Sequence, residues 1–161
     1  MNKGFTLIEL LIVVAIIGIL AAVGAAVIPG LLGGAKRNAT IANHNEIAKF
    51  VKTEILITCD LATRPVQLMN ASKAMVDWSC DKIQKDLGGF TSALESHFNA
   101  TGWKNPYTNG DIEGCNPPCS AGCINMDEWS GFMKIKSCYL DSNNNLVEIV
   151  NNLNSKAFEI P

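Results

Sequence analysis

The chain has 161 residues and a formal net charge of −2, from 13 basic and 15 acidic side chains, which suits one domain plus an appendage. This near balance of charge leaves no basic footprint for nucleic acid over the chain as a whole. Hydrophobic residues make up 48% and charged residues 17%, which excludes a disordered chain, a collagen-like chain and a purely soluble globule.

The excess of apolar residues is concentrated near the N-terminus. Residues 5–32 contain a single charged side chain, Glu9. Because about 20 apolar helical residues cross the hydrocarbon layer of a bilayer, this segment is long enough to span a membrane. Lys3 precedes it, which predicts that the N-terminus stays in the cytoplasm and that the rest of the chain lies outside.

Glu9 separates three interpretations of this segment. A simple membrane anchor gives no role to a carboxylate, and neither does a signal peptide cleaved at the small residues 22–26. Inserting an acidic side chain costs about 2–3 kcal/mol at a helix centre and less near the helix end. An ionisable residue in a membrane segment therefore indicates a function and requires a partner.

The third interpretation supplies that partner. Residues Gly4–Glu9, with the sequence GFTLIE, and the apolar run behind them resemble the processing site of type IV pilins and of the pseudopilins of type II secretion. The resemblance implies that a prepilin peptidase cuts after Gly4 and N-methylates Phe5. It also implies that Glu9 meets the N-terminal amine of Phe5 in a neighbouring subunit. Because an unpaired carboxylate is costly in a low-dielectric bundle, this pairing would set the axial register of the helices.

The resemblance further implies how the protein is organised and with what it works. It implies a leader at residues 1–4, an apolar transmembrane and polymerisation helix at 5–32, and an extracytoplasmic globular domain at 33–161 that includes the amphipathic half of the helix. The expected assembly is a helical homo-oligomeric filament. The implied partners are the peptidase, an inner-membrane platform protein and an assembly ATPase. The precursor is expected in the inner membrane and the mature subunit in an extracellular pilus on the cell surface.

Glycine and proline are frequent near the end of the apolar segment. Many members of the family have a proline where this chain has Ala26, whereas here the proline is Pro29, with glycines between Gly24 and Gly34. An interior glycine costs a helix about 1 kcal/mol and a proline about 3 kcal/mol relative to alanine. Two outcomes stay open: a proline kink in a continuous helix, or an extended stretch like the melted segment of assembled pili.

An amphipathic pattern follows Lys36 and Arg37. Ile47, Val51 and Ile55 recur at a spacing of four, which predicts that the second half of the helix packs one face against a globular domain. His44 is assigned to the polar face, because no second histidine or carboxylate accompanies it at ligand spacing.

Residues 58–100 show a mixed pattern that predicts one or two short helices. The first is expected to begin at a cap on Asn70 or Ser72, to run through Trp78, and to stop at Gly88–Gly89. The second is expected from Thr91 to Phe98.

The cysteines indicate disulfide bonds formed outside the cytoplasm, because an even number follows a membrane-directed N-terminus. Six residues are candidates: Cys59, Cys80, Cys115, Cys119, Cys123 and Cys138. A bridge from Cys59 to Cys80 is favoured. The spacing of four at positions 115, 119 and 123 raises the alternative of a metal or iron–sulfur site with Cys138, but the matching second Cys-x₂₋₄-Cys pair of a zinc site is missing. Disulfides are therefore favoured, and no metal or cofactor is expected.

The C-terminal third predicts a small antiparallel sheet. Strands are expected at residues 131–140 and 146–150, with a further edge strand at 157–160 and a turn-rich Asn-Pro-Tyr loop at 102–110 before them. Asp141, Asn143 and Asn145 match the first ligand positions of an EF-hand loop, but Leu146 stands where its glycine belongs. A plain hairpin turn is favoured there. The resulting fold class is α+β, and the resemblance implies the type IV pilin fold, a long N-terminal helix packed on this sheet.

The sequence shows no catalytic constellation, so we expect a structural protein and not an enzyme. Its two histidines, His44 and His97, are far apart and have no accompanying Ser or Cys signature. The expected function is that of a pilin; the alternatives are a type II secretion pseudopilin and a minor subunit for DNA uptake or adhesion. Nucleic-acid binding stays open, with only a faint basic patch: Lys82, Lys85, Lys134 and Lys136.

Overall fold

The computed structural model describes residues 5–112, 115, 119–129 and 132–153. Internal contacts divide the chain into two units, of which the first ends at Ala35 and the second begins at Lys36. The elements in chain order are α1 (Leu7–Ile55), a π-helical turn (Leu56–Asp60), β1 (Val66–Met69), β2 (Met75–Trp78), α2 (Cys80–Lys85), α3 (Leu87–Ala100), β3 (Ile124–Trp129), β4 (Phe132–Leu140) and β5 (Leu146–Leu153). The predicted α+β class, a long N-terminal helix followed by a small antiparallel sheet, is confirmed.

Helix α1 is continuous over 49 residues and passes through Pro29 without a break. The extended stretch considered for this region is therefore wrong for the single chain. Propagating a helix already nucleated adds a backbone hydrogen bond for each residue fixed, so a long helix tolerates a few poor helix formers. Whether the same region melts in a filament stays a prediction.

The second half of α1 buries the face that its spacing predicts. Ile47, Val51 and Ile55 are 0–3% exposed and belong to the core of the second unit. The assignment of His44 to the polar face is wrong, because this side chain is fully buried. Thr40 and His44 lie on the same face, since Thr40 is four residues before His44 and His44 is three before Ile47, so geometry places them inward although they are polar.

The burial of His44 is made possible by a hydrogen bond across the core. Its Nδ1 lies 2.8 Å from the hydroxyl oxygen of Ser137 on β4, which is itself fully buried. Burial lowers the pKa of His44, and the nearby Asn151 side chain opposes this shift more weakly. Burial likewise lowers the pKa of His97, whose Nδ1 accepts a hydrogen bond from the backbone of Met69 at 2.9 Å.

Because the pKa of both histidines is lowered in the folded chain, we expect the globular unit to lose stability as the pH falls from 7 to 5. A lowered folded-state pKa means that the unfolded chain binds more protons below its own histidine pKa of about 6.5, so the free energy of unfolding decreases as the pH falls through this range. Burial raises the pKa of Glu95, and the contribution of this carboxyl has the opposite slope. We expect His44→Gln to flatten the pH dependence of the urea midpoint, with His97→Gln as the companion variant. An unchanged slope in both variants would contradict this origin.

The first part of the segment predicted as a short helix, up to Trp78, instead belongs to a β-hairpin, whereas Cys80–Lys85 in its later part is helical. Strands β1 and β2 pair antiparallel, with Val66 opposite Trp78. Val66 and Leu68 are buried and the residue between them is exposed, a period of two that a helix does not have. Asn70, expected as a helix cap, closes the hairpin turn by accepting a hydrogen bond from the Ala74 amide at 2.9 Å.

Two capped helices follow the hairpin. Ser79 accepts a hydrogen bond from the Lys82 amide at the start of α2, and Asp86 accepts one from the Gly89 amide at the start of α3. Gly88 and Gly89 therefore lie in the first turn of a helix, and the prediction that they end one is wrong. The helix predicted from Thr91 to Phe98 is confirmed within α3.

The larger sheet has the order β3-β4-β5, with antiparallel pairing throughout. The strands predicted at 131–140 and 146–150 correspond to β4 and β5, and β5 continues to Leu153. Strand β3 was not predicted from the sequence. The edge strand expected at 157–160 lies outside the described residues.

The Asn-Pro-Tyr loop ties several parts of the globular unit together. Asn105 Oδ1 accepts hydrogen bonds from the amides of Tyr107 and Thr108, which holds the turn. The Tyr107 hydroxyl accepts one from the Leu140 amide at 3.2 Å, and the ammonium of Lys36 lies 5.7 Å from the Tyr107 ring centroid. The loop thus links the end of β4 with α1 where the globular unit begins.

Candidate functional site: the N-terminal assembly segment

Residues 5–32, which we call the assembly segment, are apolar on every side. The exposed fractions of its large apolar side chains run from 45% at Val13 to 82% at Leu7. Among the described residues, the helical stretch Leu7–Asp60 is the one long and apolar enough to cross a membrane. At 1.5 Å per residue, the segment spans about 42 Å, more than the roughly 30 Å of a hydrocarbon core. Exposing this apolar surface to water is therefore unfavourable, and lipid tails or the helices of other molecules would have to cover it.

Glu9 lies in the first turn of α1 and forms a capping box with Thr6, the residue directly before the helix. Its Oε2 accepts hydrogen bonds from the Thr6 amide at 2.8 Å and from the Thr6 hydroxyl at 2.7 Å. The Thr6 hydroxyl oxygen lies 3.3 Å from the Glu9 amide that donates to it. This reciprocal pattern satisfies amide groups that a helix N-terminus leaves without partners. The sequence contains its signature, Thr-x-x-Glu ahead of an apolar run, so Thr6 could have been found by that pattern and was missed.

The capping box leaves the charge of Glu9 to be neutralised. Within the part of the chain that the structure describes, no basic side chain forms an ion pair with it. Its hydrogen bonds run to neutral groups of Thr6, which orient the carboxylate without cancelling its charge.

Comparisons with known proteins bear on this same segment. Residues 1–25 match the prokaryotic N-terminal methylation motif. The chain carries the N-terminal signature of type IV pilins and pseudopilins, as the resemblance at Gly4–Glu9 predicted. The match to the methylation motif ends at residue 25. No curated protein and no solved structure matches the chain.

The structure describes the methylation motif from Phe5 onward. Gly4, the predicted processing residue, lies outside the described residues. Phe5, the predicted N-methylated residue, is 81% exposed, so its side chain has no place in the chain's own core. Phe5 and Thr6 directly precede α1, and Glu9 lies in its first turn.

The six candidate cysteines all form disulfide bonds. Cys59 is joined to Cys80, as expected, and this bridge connects the π-helical turn to α2. Cys115 is joined to Cys123, and Cys119 to Cys138, which resolves a pairing that the spacing alone left open. The second bridge joins two positions of the loop before β3, and the third fastens this loop to strand β4.

The segment from Asp141 forms the plain turn that was favoured for it. Asp141 Oδ1 accepts hydrogen bonds from the amides of Asn143 and Asn145, both at 2.8 Å. These backbone hydrogen bonds lower the pKa of Asp141, because they stabilise its charged form. The carboxylate therefore shapes the connection between β4 and β5.

Two of the four lysines considered for nucleic-acid binding already have partners. The Lys82 ammonium lies 3.9 Å from the ring centroid of Trp78, a cation–π contact. Lys136 Nζ lies 2.7 Å from a carboxylate oxygen of Glu148 on the neighbouring strand. The ion pair offsets the charge of Lys136, whereas Lys82 keeps its charge against the neutral ring of Trp78.

Proposed function

We propose that the chain is a prepilin whose mature form, beginning at Phe5, polymerises through the assembly segment into a type IV pilus filament. The observation that carries this proposal is an apolar helix, exposed on every side, whose first turn holds one carboxylate oriented by Thr6. The methylation motif at residues 1–25 supports it. The protein acts by assembly rather than by turnover of a substrate.

Helix packing supplies the stability that the segment loses when it leaves the membrane. Lipid tails and apolar side chains are equally nonpolar, so association in such a bundle depends on close packing and on polar contacts. Gly18 suits this packing, because a residue without a side chain lets the backbone of another helix approach closely, and no other part of the chain lies within 4 Å of a Cβ built there. The small residues there thus leave room for the helix of another subunit.

The charge of Glu9 supplies the specificity. Uniformly apolar helices can pack in several axial registers with similar free energy. One buried carboxylate favours the single register in which a cation forms an ion pair with it. In this proposal the cation is the N-terminal amine of Phe5 in a neighbouring copy, freed when the leader at residues 1–4 is removed. The residues from 33 onward then form the globular surface of the filament.

The same proposal names partners and places. A prepilin peptidase removes the leader and methylates Phe5, and a platform protein and an assembly ATPase extract the subunit from the inner membrane. The globular domain lies outside the cytoplasm, in an oxidising compartment in which its three disulfides can form. The assembled subunit lies in an extracellular pilus.

Mass spectrometry of the mature protein from its native host tests the proposal. We expect the N-terminal peptide to begin at methylated Phe5, in fibres sheared from the cell surface. An intact Met1 or cleavage near Ala26 would contradict it and leave an anchored or secreted disulfide domain. Methylated Phe5 confined to the cell envelope would favour the pseudopilin alternative instead.

A further inference from the structure

The loop before β3 and strand β4 bring four sulfur atoms into one cluster. The Sγ atoms of Cys115, Cys119, Cys123 and Cys138, which we call the sulfur cluster, all lie within 4.8 Å of one another. The Sγ atoms of Cys119 and Cys123, which belong to different disulfides, are 3.1 Å apart. Cys115, Cys123 and Cys138 are at most 3% exposed, and Cys119 is partly buried.

This arrangement is tighter than two disulfide bonds require. Each bond needs two sulfur atoms to meet, whereas here the two bonds lie so close together that all four sulfurs are within 4.8 Å of one another. Zinc binds thiolates at about 2.3 Å in a tetrahedron, which places the sulfurs roughly 3.8 Å apart. The sulfur cluster therefore has about the span of a tetrahedral four-thiolate site, and it would reach that geometry once reduction lets the two bonded pairs move apart.

We propose that the reduced sulfur cluster binds one soft divalent cation of the zinc type. The sulfur cluster would then have two mutually exclusive states. The oxidised state contains two disulfide bonds, and the reduced state contains one metal ion bound by four thiolates. An all-sulfur donor set selects zinc-like ions over magnesium and calcium, which prefer oxygen.

The two states are linked by a balanced exchange. A dithiol reductant delivers four electrons and four protons to the two disulfides, which yields four thiols and two molecules of the oxidised, cyclic reductant. Binding of Zn²⁺ then releases the four thiol protons to solvent and leaves a tetrathiolate complex. Because a buried thiolate without a cation is costly, the ion and the deprotonated sulfurs stabilise each other.

The test uses the full chain in detergent, reduced with dithiothreitol and then freed of reductant under anaerobic conditions. Titration with Co²⁺ is expected to give the visible absorption of a tetrahedral thiolate complex at about one ion per chain, and Zn²⁺ is expected to displace it. The oxidised chain is expected to bind none, since every sulfur of the cluster is in a disulfide.

Matched cysteine variants separate the sulfur cluster from the third disulfide. The double variant Cys59→Ser/Cys80→Ser removes the bridge outside the cluster and should keep the full absorption. Cys138→Ser removes the ligand on β4 and should bind Co²⁺ more weakly, with a changed thiolate absorption. Loss in the first variant, or an unchanged affinity and spectrum in the second, would overturn the proposal.

X-ray absorption at the zinc edge gives a readout that does not depend on whether a variant folds. Four sulfur atoms at about 2.3 Å are expected in the reduced, zinc-loaded chain. A shell that mixes sulfur with nitrogen or oxygen would contradict the proposal. So would a reduced chain that binds no Co²⁺.

Discussion

Glu9→Gln is expected to abolish filament assembly while the subunit still inserts into the membrane. Glutamine keeps an oxygen that accepts the Thr6 hydrogen bonds, so the capping box survives and only the charge is lost. In the filament, the amine of a neighbouring Phe5 would then be buried without its partner. Removing one partner of a buried ion pair costs about 3–5 kcal/mol, which corresponds to a loss of roughly 100-fold or more in assembly. The amount of subunit in sheared fibres, relative to that in membranes, measures the effect.

Two further variants isolate the cause of this loss. Glu46→Gln removes an exposed carboxylate from the globular half of the same helix and should leave assembly unchanged. Thr6→Val removes the hydroxyl of the capping box but keeps the charge of Glu9, so assembly should decrease only modestly, by the about 1 kcal/mol that a helix cap contributes. Normal fibres from Glu9→Gln would show that this carboxylate has no role in register and would contradict its proposed pairing with the amine of Phe5.

The N-terminal half of the fold could be predicted because its physics is local. A long unbroken apolar run predicts a helix in an apolar environment, independently of contacts with the rest of the chain. Residues Gly4–Glu9 add a motif specific enough to recognise. The same holds for β4, where Met133 and Ile135 alternate with lysines. In these segments, the residues that decide the structure are neighbours along the sequence.

The mistaken predictions concern residues whose environment is set by distant parts of the chain. His44 was assigned to solvent by its chemistry, and its burial depends on Ser137, which lies 93 positions away. Asn70 and Ser72 are good helix caps and equally good turn residues, so only the pairing of Val66 with Trp78 decides between a helix and a hairpin. The partner of each clustered cysteine likewise depends on where β4 places Cys138.

Ile47→Ala is expected to reduce the free energy of unfolding of the globular unit by about 2–5 kcal/mol. Ile47 is fully buried on α1 and belongs to one core cluster with Phe90 of α3 and Ile135 of β4. Truncation removes apolar contacts and leaves a cavity in close-packed surroundings, so the loss exceeds the transfer term alone. Domains of this size have about 5–15 kcal/mol of stability in total, which makes this a large fraction.

A graded series tests whether packing at this position is the cause. Ile47→Val removes one methyl group and should cost about 0.5–1.5 kcal/mol, and the exposed Lys49→Ala should change stability by no more than about 0.5 kcal/mol. Urea unfolding of the full chain in detergent measures all three, with fluorescence from Trp78, which is buried edge-on against Phe90, as one reporter. With a slope of about 1–3 kcal/mol per molar urea, Ile47→Ala should lower the midpoint by roughly 1 M or more. Equal midpoints for Ile47→Ala and Lys49→Ala would show that the second half of α1 does not stabilise the globular unit, since a fully buried side chain on its inner face would then contribute no more than a surface lysine.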